Sequence, residues 1–172
     1  MGLGLDRNVM FCYNTIMDDL DKIHAYFRDM GKRNPWVGIF QLGISCYPAS
    51  CVFDCVLVDC QESHIRGLEF KVTRADFLQD KNAGKWKKYL RWCHTFTWVC
   101  PEGLIQPNEI EKPAGLLWVV DKSVKYYGGT ERTRQGGEWK KRPSSIEIER
   151  SDYDKVVMML LNRVKWRKEA FF

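Results

Sequence analysis

The sequence predicts an α/β sandwich in a single domain, and three observations carry that prediction. Two short runs, Thr95-Phe96-Thr97-Trp98-Val99-Cys100 and Gly115-Leu116-Leu117-Trp118-Val119-Val120, are apolar almost throughout, the signature of strands covered on both faces. Between the β-forming stretch around Glu69 and the first of those runs lies a segment of helical period, and a strand-helix-strand unit implies parallel pairing. Finally, 172 residues with 45% hydrophobic and 13% aromatic content can bury one substantial core and not two. The core is expected over about 14–120, followed by a basic Gly-rich loop over 128–145 and a C-terminal helix over 151–168.

Composition narrows the class of partner. Lys and Arg number 27 against 22 Asp and Glu, a net charge of +5 that mildly favours an anionic partner. No apolar run approaches the roughly 20 residues of a membrane span, so no membrane partner is expected. Residues 1–7 have neither the basic start nor the apolar core of a secretory signal, and Asp6 stands where a myristoylation pattern wants Ser or Thr. The expected location is cytoplasmic. Seven cysteines, at 12, 46, 51, 55, 60, 93 and 100, form an odd number with no CxxC pair. They read as reduced, buried thiols rather than a disulfide framework or zinc ribbon.

The first helix is expected from about Asn14 to Met30, where Ile16, Leu20, Ile23, Phe27 and Met30 recur at helical spacing before Gly31. Asp18 and Asp21 fall on its wet side. Asp19 lies next to the apolar stripe, either leaning towards a site or belonging to an acidic first half that suits the helix dipole. After Asn34-Pro35, strands are expected over 36–42 and 51–58, joined by a turn at Tyr47-Pro48-Ala49-Ser50. On the second strand Val52, Asp54, Val56 and Val58 share parity, so a charge interrupts a β-branched row, while Asp59 ends the strand on the other parity.

The third strand holds the most unusual stretch, Arg66-Gly67-Leu68-Glu69-Phe70-Lys71-Val72-Thr73-Arg74-Ala75-Asp76-Phe77. Strand alternation points Glu69, Lys71 and Thr73 one way and Leu68, Phe70 and Val72 the other. Burying a carboxylate or an ammonium costs several kcal/mol unless it finds a partner or a metal. Asp54, fifteen residues before Glu69 and on the neighbouring antiparallel strand, is the expected companion.

Residues 76–92 change to a helical period broken at Asn82-Ala83-Gly84, which makes them the crossover. A loop over 101–113 separates the two apolar strands, and Ser123 to Tyr127 is expected to add an edge strand. Between 130 and 142 five basic residues face two acidic ones, among Gly128-Gly129 and Gly136-Gly137. That reads as a solvated loop, with phosphate contact as the alternative. Ser151 starts the last helix, with Asp152 and Asp154 in its first turn and a basic end from Arg163 to Lys168.

Two carboxylates and a lysine on adjacent strands suit one kind of chemistry. Asp54 and Glu69, with the Phe70 backbone carbonyl as a further oxygen, can hold Mg²⁺ or Mn²⁺, which also binds phosphate oxygens. Lys71 can position or deprotonate an attacking water or steady an oxyanion. A structural Asp-Lys ion pair fits the same residues without metal. No nucleophile elbow or His-based metal spacing competes; His24, His64 and His94 lie far apart in sequence.

Asp54…Glu69-x-Lys71 resembles the PD-(D/E)xK nuclease signature. The longer string, Glu69-Phe70-Lys71-Val72-Thr73-Arg74-Ala75-Asp76-Phe77, then Asp80, Lys85-Trp86-x-x-Tyr89-x-x-x-Cys93-x-x-Phe96 and Pro101, is similar to the MmcB-type DNA repair branch of that superfamily. The resemblance covers roughly Asp54 to Pro101. It implies a restriction-endonuclease-like three-layer sandwich with an αβββαβ core, hence a central mixed β-sheet flanked by helices. It also implies a DNA-directed nuclease in repair or in a phage or mobile-element setting, with Asp54 and Glu69 as ligands and Lys71 as the catalytic lysine.

This chain departs from the family pattern in three places. Val52-Phe53 precede the motif aspartate, His94 replaces the Asp after the cysteine, and Asn82-Ala83-Gly84 lengthens the path from Asp80 to Lys85. Where relatives place an extra glutamate on the first helix or strand, only Asp19 or Gln41 is on offer, as supporting residues. Nucleic-acid contacts are expected from Arg74, unless it caps a turn with Asp76, and from Lys85, Lys87, Lys88 and Arg91 among Trp86, Tyr89 and Trp92. For those four the other reading is that the aromatics face the core and the basic groups face water. The expected partner is DNA, with RNA the related alternative, and a homo-oligomer is compatible with the sequence. A nucleic-acid-binding or assembly module on the same fold, with little or no cleavage, is the rival reading.

Overall fold

The computed structural model describes residues 18–28, 36–44, 51–59, 61–125 and 131–167. Helix α1 occupies 18–28 and presents Ile23 and Phe27, both buried, to the sheet, as the apolar spacing requires. Positions 14–17 and 29–30 of the expected helix lie outside the described residues.

Strands β1 (Trp36–Ile44), β2 (Cys51–Asp59) and β3 (His64–Phe70) form an antiparallel meander. Helix α2 (Arg74–Asn82) and a 3₁₀ segment (Lys85–Arg91) cross to β4 (Thr95–Pro101), which pairs parallel with β3. Strand β5 (Gly115–Lys125) pairs parallel with β4, and β6 (Glu131–Lys141) closes the sheet antiparallel to β5. The six strands lie in chain order in one open, mixed sheet. Helix α3 (Arg150–Arg167) ends the described fold.

Each face of the sheet carries its own core. On one face Ile23 and Phe27 pack with Cys55, Leu57, Leu68, Phe70, Val99 and Leu117. On the other, Phe77, Trp86, Trp92, Val156 and Leu160, from α2, the 3₁₀ segment and its flank, and α3, cover Val56, Ile65, Phe96 and Trp98. Two helical layers thus sandwich the sheet. Gly67 is needed in β3, because a Cβ there would run into the Phe53 ring and the Cys93 sulfur.

Several expectations are corrected. The second half of the crossover is 3₁₀ rather than α. Gly84, at φ +63°, starts it, and Trp86, Tyr89 and Trp92 follow at three-residue spacing, which matches the 3₁₀ period and turns all three rings inward. The expected loop over 128–145 contains β6. Its glycines suggested a loop, yet Gly136 and Gly137 pair with Val120 and Val119, and Gly137 lacks a Cβ where Tyr26 of α1 lies against the strand. The expected edge strand over 123–127 is the end of β5 as far as Lys125; 126–127 lie outside the described residues.

Strand parity also breaks. Ile39 and Leu42, an odd and an even position, share one core, and so do Phe53 and Val56. The cause is Gln41, held at φ +55° in the left-handed region opposite Asp54. Asp54 therefore does not continue the Val56–Val58 row, and Val52 is exposed.

Cys51, Cys55, Cys93 and Cys100 are buried thiols outside any disulfide. Burial pushes the Cys93 and Cys100 thiols up to about 12. Cys12, Cys46 and Cys60 lie outside the described residues.

Candidate active site

The parity break at Gln41 positions Asp54. The β2–β3 ladder ends at Cys55 and Leu68, so the next inward N–H of β3 lacks a strand partner. Asp54 supplies one: Phe70 N donates to Asp54 Oδ2 at 2.8 Å, and Gln41 Nε2 donates to Oδ1 at 3.0 Å. Gln41 thus supports Asp54 directly. A non-glycine residue in the left-handed region costs about 1 kcal/mol or more and tends to mark functional sites.

Asp54, Glu69, Phe70 and Lys71 line one cleft of about 250 Å³ together with Leu20, His24, Gln41, Val72 and Asp76. Glu69 is 7% exposed and Lys71 3% exposed. Lys71 Nζ donates to Glu69 Oε1 at 3.3 Å, Asp76 Oδ2 at 3.0 Å and Asp80 Oδ2 at 2.6 Å. The nitrogen also lies 5.8 Å from the centre of the Trp98 ring. Glu69 Oε2 is buried with no hydrogen-bond partner.

Electrostatics follow from this crowding. Burial first, and then the charge on Asp54, push the Glu69 carboxyl up to about 8. Burial also raises Asp54, against the Phe70 N–H, Lys71 and Gln41. Burial alone would depress the Lys71 ammonium, but Asp80, Glu69 and Asp76 outweigh it and raise it above its ordinary value. The three carboxylates around its nitrogen favour the charged ammonium, which can steady negative charge.

The string after Lys71 is scaffolding for that ammonium. Thr73 caps α2 by accepting from Asp76 N, which sets Asp76 beside Lys71. Phe77 packs edge-on against Trp98 at 5.4 Å. Asp80 bridges Lys71 to Lys85, whose Nζ lies 2.8 Å from Oδ1.

Most residues expected to meet nucleic acid are committed elsewhere. Arg74 grips Glu109 with both terminal nitrogens, not Asp76, and so ties the 102–114 connection to α2. Glu109 is held down at about 2 by that guanidinium. Arg91 pairs with Asp152 of α3 at 2.7 Å, and Lys87 lies 4.0 Å from Glu111. Trp86 and Trp92 are buried, which removes them as stacking platforms, and Tyr89 donates to the Val52 carbonyl. Lys88 is exposed.

Asp19 does not reach the site. Burial raises its carboxyl, against Lys22 and with Asp18 and Asp121, while α1 offers the cleft Leu20 and His24 instead. His24 was missed as a site residue; its signal was a polar group one turn after Leu20, beside the apolar stripe. Its ring lies tilted against Phe40 with 4.4 Å between centroids, and burial, then Arg28, lower its basicity.

Glu69 Oε2, buried without a partner beside the desolvated Asp54 carboxylate, leaves a carboxylate oxygen free to act as a ligand. That donor set fits a hard divalent cation completed by water. Among the described residues no cluster of three or more His, Cys, Asp and Glu side chains is arranged to hold a metal, so the protein ligands would be the two carboxylates.

No family model matches the sequence, and no curated protein matches it. Among solved structures the fold is similar to that of a protein of unknown function from Silicibacter pomeroyi, with a TM-score of 0.62 and 17% identity over 88% of this chain and 87% of that one. At that identity the likeness concerns the fold alone.

Proposed function

We propose that this protein is a metal-dependent, nuclease-like hydrolase of DNA phosphodiester bonds, working on a restriction-endonuclease-like core. DNA repair or a phage or mobile element is the setting that its resemblance suggests. The observation that carries this reading is the meeting of Asp54, Glu69 and Lys71 in one cleft, where a buried Glu69 oxygen has no partner. The element order, helix, three antiparallel strands, crossover and parallel strand, supports the αβββαβ assignment.

In this reading Asp54 and Glu69 hold Mg²⁺ or Mn²⁺, aided by the Phe70 backbone. The bound ion would neutralise phosphoryl charge and make a water more acidic. Lys71, kept as an ammonium by Asp76 and Asp80, stabilises negative charge developing on the phosphate. Gln41 fixes the Asp54 carboxylate.

One observation favours a second reading, a nucleic-acid-binding or assembly module with little cleavage: Lys71 already has three carboxylate partners. Cleavage assays on plasmid, linear duplex, single-stranded and branched DNA, with RNA alongside, separate the two. The enzyme reading expects cleavage in Mg²⁺ or Mn²⁺ that is lost in EDTA and in Asp54→Asn and Lys71→Ala. Salt-dependent binding with no cleavage in either metal establishes the module instead.

A further inference from the structure

A second cavity, of about 70 Å³, lies over the sheet face that α1 covers, away from the carboxylates of the candidate site. Its walls are mostly apolar: Tyr26, Phe27, Leu57, Leu68, Leu117 and Trp139. One charged residue lines it, Arg66.

The Arg66 guanidinium lies 4.2 Å over the Trp36 ring, so one of its faces is covered by an aromatic plate. Trp36 is itself fixed, because its indole N–H donates to Asp59 Oδ2 at 2.8 Å. The other Asp59 oxygen accepts from the backbone N–H groups of Gln61 and Glu62. The nearest buried carboxylate is thereby occupied and reaches Arg66 only through space. Arg66 Nε is shut off from water without an acceptor, and no hydrogen bond or ion pair joins the guanidinium to another described residue. A guanidinium nitrogen buried without an acceptor is costly unless something completes it.

We propose that this cavity binds a small monocarboxylate with an aromatic or apolar body. A carboxylate offers Arg66 two coplanar acceptors in the geometry that a guanidinium prefers. The apolar body fills the space between the aromatic walls, with Trp139, 36% exposed, as the outermost ring. A phosphate dianion fits poorly, since one guanidinium leaves its second charge uncompensated among apolar side chains. Thr97 is the other small polar group on the wall.

The test is a titration of the full chain with benzoate, benzyl alcohol and inorganic phosphate, followed by ¹H–¹⁵N NMR of the tryptophan indole and arginine Nε–H signals. Benzoate is expected to shift the Arg66, Trp36 and Trp139 signals saturably. Benzyl alcohol, which has the ring without the charge, binds at least about tenfold more weakly, as the loss of a charged hydrogen bond requires. Arg66→Met abolishes benzoate binding, whereas Asp54→Asn leaves it unchanged, which keeps this cavity distinct from the candidate active site. Equal affinity for benzoate and benzyl alcohol in the wild-type chain, preferential binding of phosphate, or no saturable shift up to about 20 mM benzoate overturns the proposal. The wild-type ligand comparison decides the matter if Arg66→Met does not fold.

Discussion

Lys71 Nζ lies 2.6 Å from one oxygen of Asp80, and the other oxygen of that carboxylate holds Lys85 Nζ at 2.8 Å. One helix carboxylate thus joins a buried ammonium to an exposed one. The two halves of the bridge differ in worth. The side chain of Lys71 is 4% exposed and that of Lys85 is 50% exposed. Asp80→Asn is therefore expected to lower the unfolding free energy by about 1–3 kcal/mol, as loss of a buried charged hydrogen bond does. Lys85→Met should change it by less than about 1 kcal/mol. Urea midpoints compare the two, and equal losses would show that the exposed half carries the bridge.

Glu69 makes stability depend on pH when divalent ions are chelated. Its carboxyl is raised from an ordinary 4.5 to about 8, so between those values the folded chain binds a proton that the unfolded chain has released. The resulting stabilisation is complete below about pH 4.5 and is lost as pH rises through about 8. Urea titrations in EDTA should show the wild type losing on the order of a few kcal/mol relative to Glu69→Gln between pH 5 and pH 8.5. Parallel profiles for the two proteins would place the Glu69 proton elsewhere.

Gly67→Ala tests the core rather than the cleft. The added methyl meets the Phe53 ring and the Cys93 sulfur on a strand fixed on both sides by Val56 and Phe96. Overpacking of this kind costs about 1–3 kcal/mol. A smaller ring site should relieve it, so Phe53→Leu is expected to be less damaging in the Gly67→Ala background than in the wild type. A double-mutant cycle by thermal or urea unfolding reads that coupling, and strict additivity would contradict the contact.

Legibility in the sequence followed locality. The strands from Trp36 to Cys100 were visible because alternation and β-branched runs are short-range signals, and Asp54, Glu69 and Lys71 were visible because charge in such runs is anomalous. What stayed hidden depended on distant partners. Arg74 read as a phosphate contact until Glu109, thirty-five residues on, took both its nitrogens. Gly137 read as loop because its reason for being small, Tyr26, comes from the first helix. The parity switch at Gln41 has no side-chain signature, since a positive φ at glutamine follows from pairing and not from propensity. His24 was masked by its place beside a regular apolar stripe.

A divalent ion offers the sharpest separation of the readings of the cleft. Asp54 and Glu69 are both raised by burial, and Asp54 further raises Glu69, so a cation with differential affinity for the ionised pair must compete with protons. Mn²⁺ at about a hundred times its Kd should add about 2.7 kcal/mol of stability, which in a chain of this size is a thermal shift on the order of 5–10 °C. The shift should be larger at pH 8 than at pH 5.5 and absent in both Asp54→Asn and Glu69→Gln. Lys71→Met discriminates further. Removing the ammonium leaves Glu69, Asp76 and Asp80 without their shared counter-charge, an expected loss of about 3–5 kcal/mol in EDTA. If the cleft is a cation site, Mn²⁺ binds this variant at least as tightly as the wild type and restores much of that loss. If the three residues form only a structural ion pair, Lys71→Met is destabilised equally with and without metal, and the wild type shows no thermal shift at either pH.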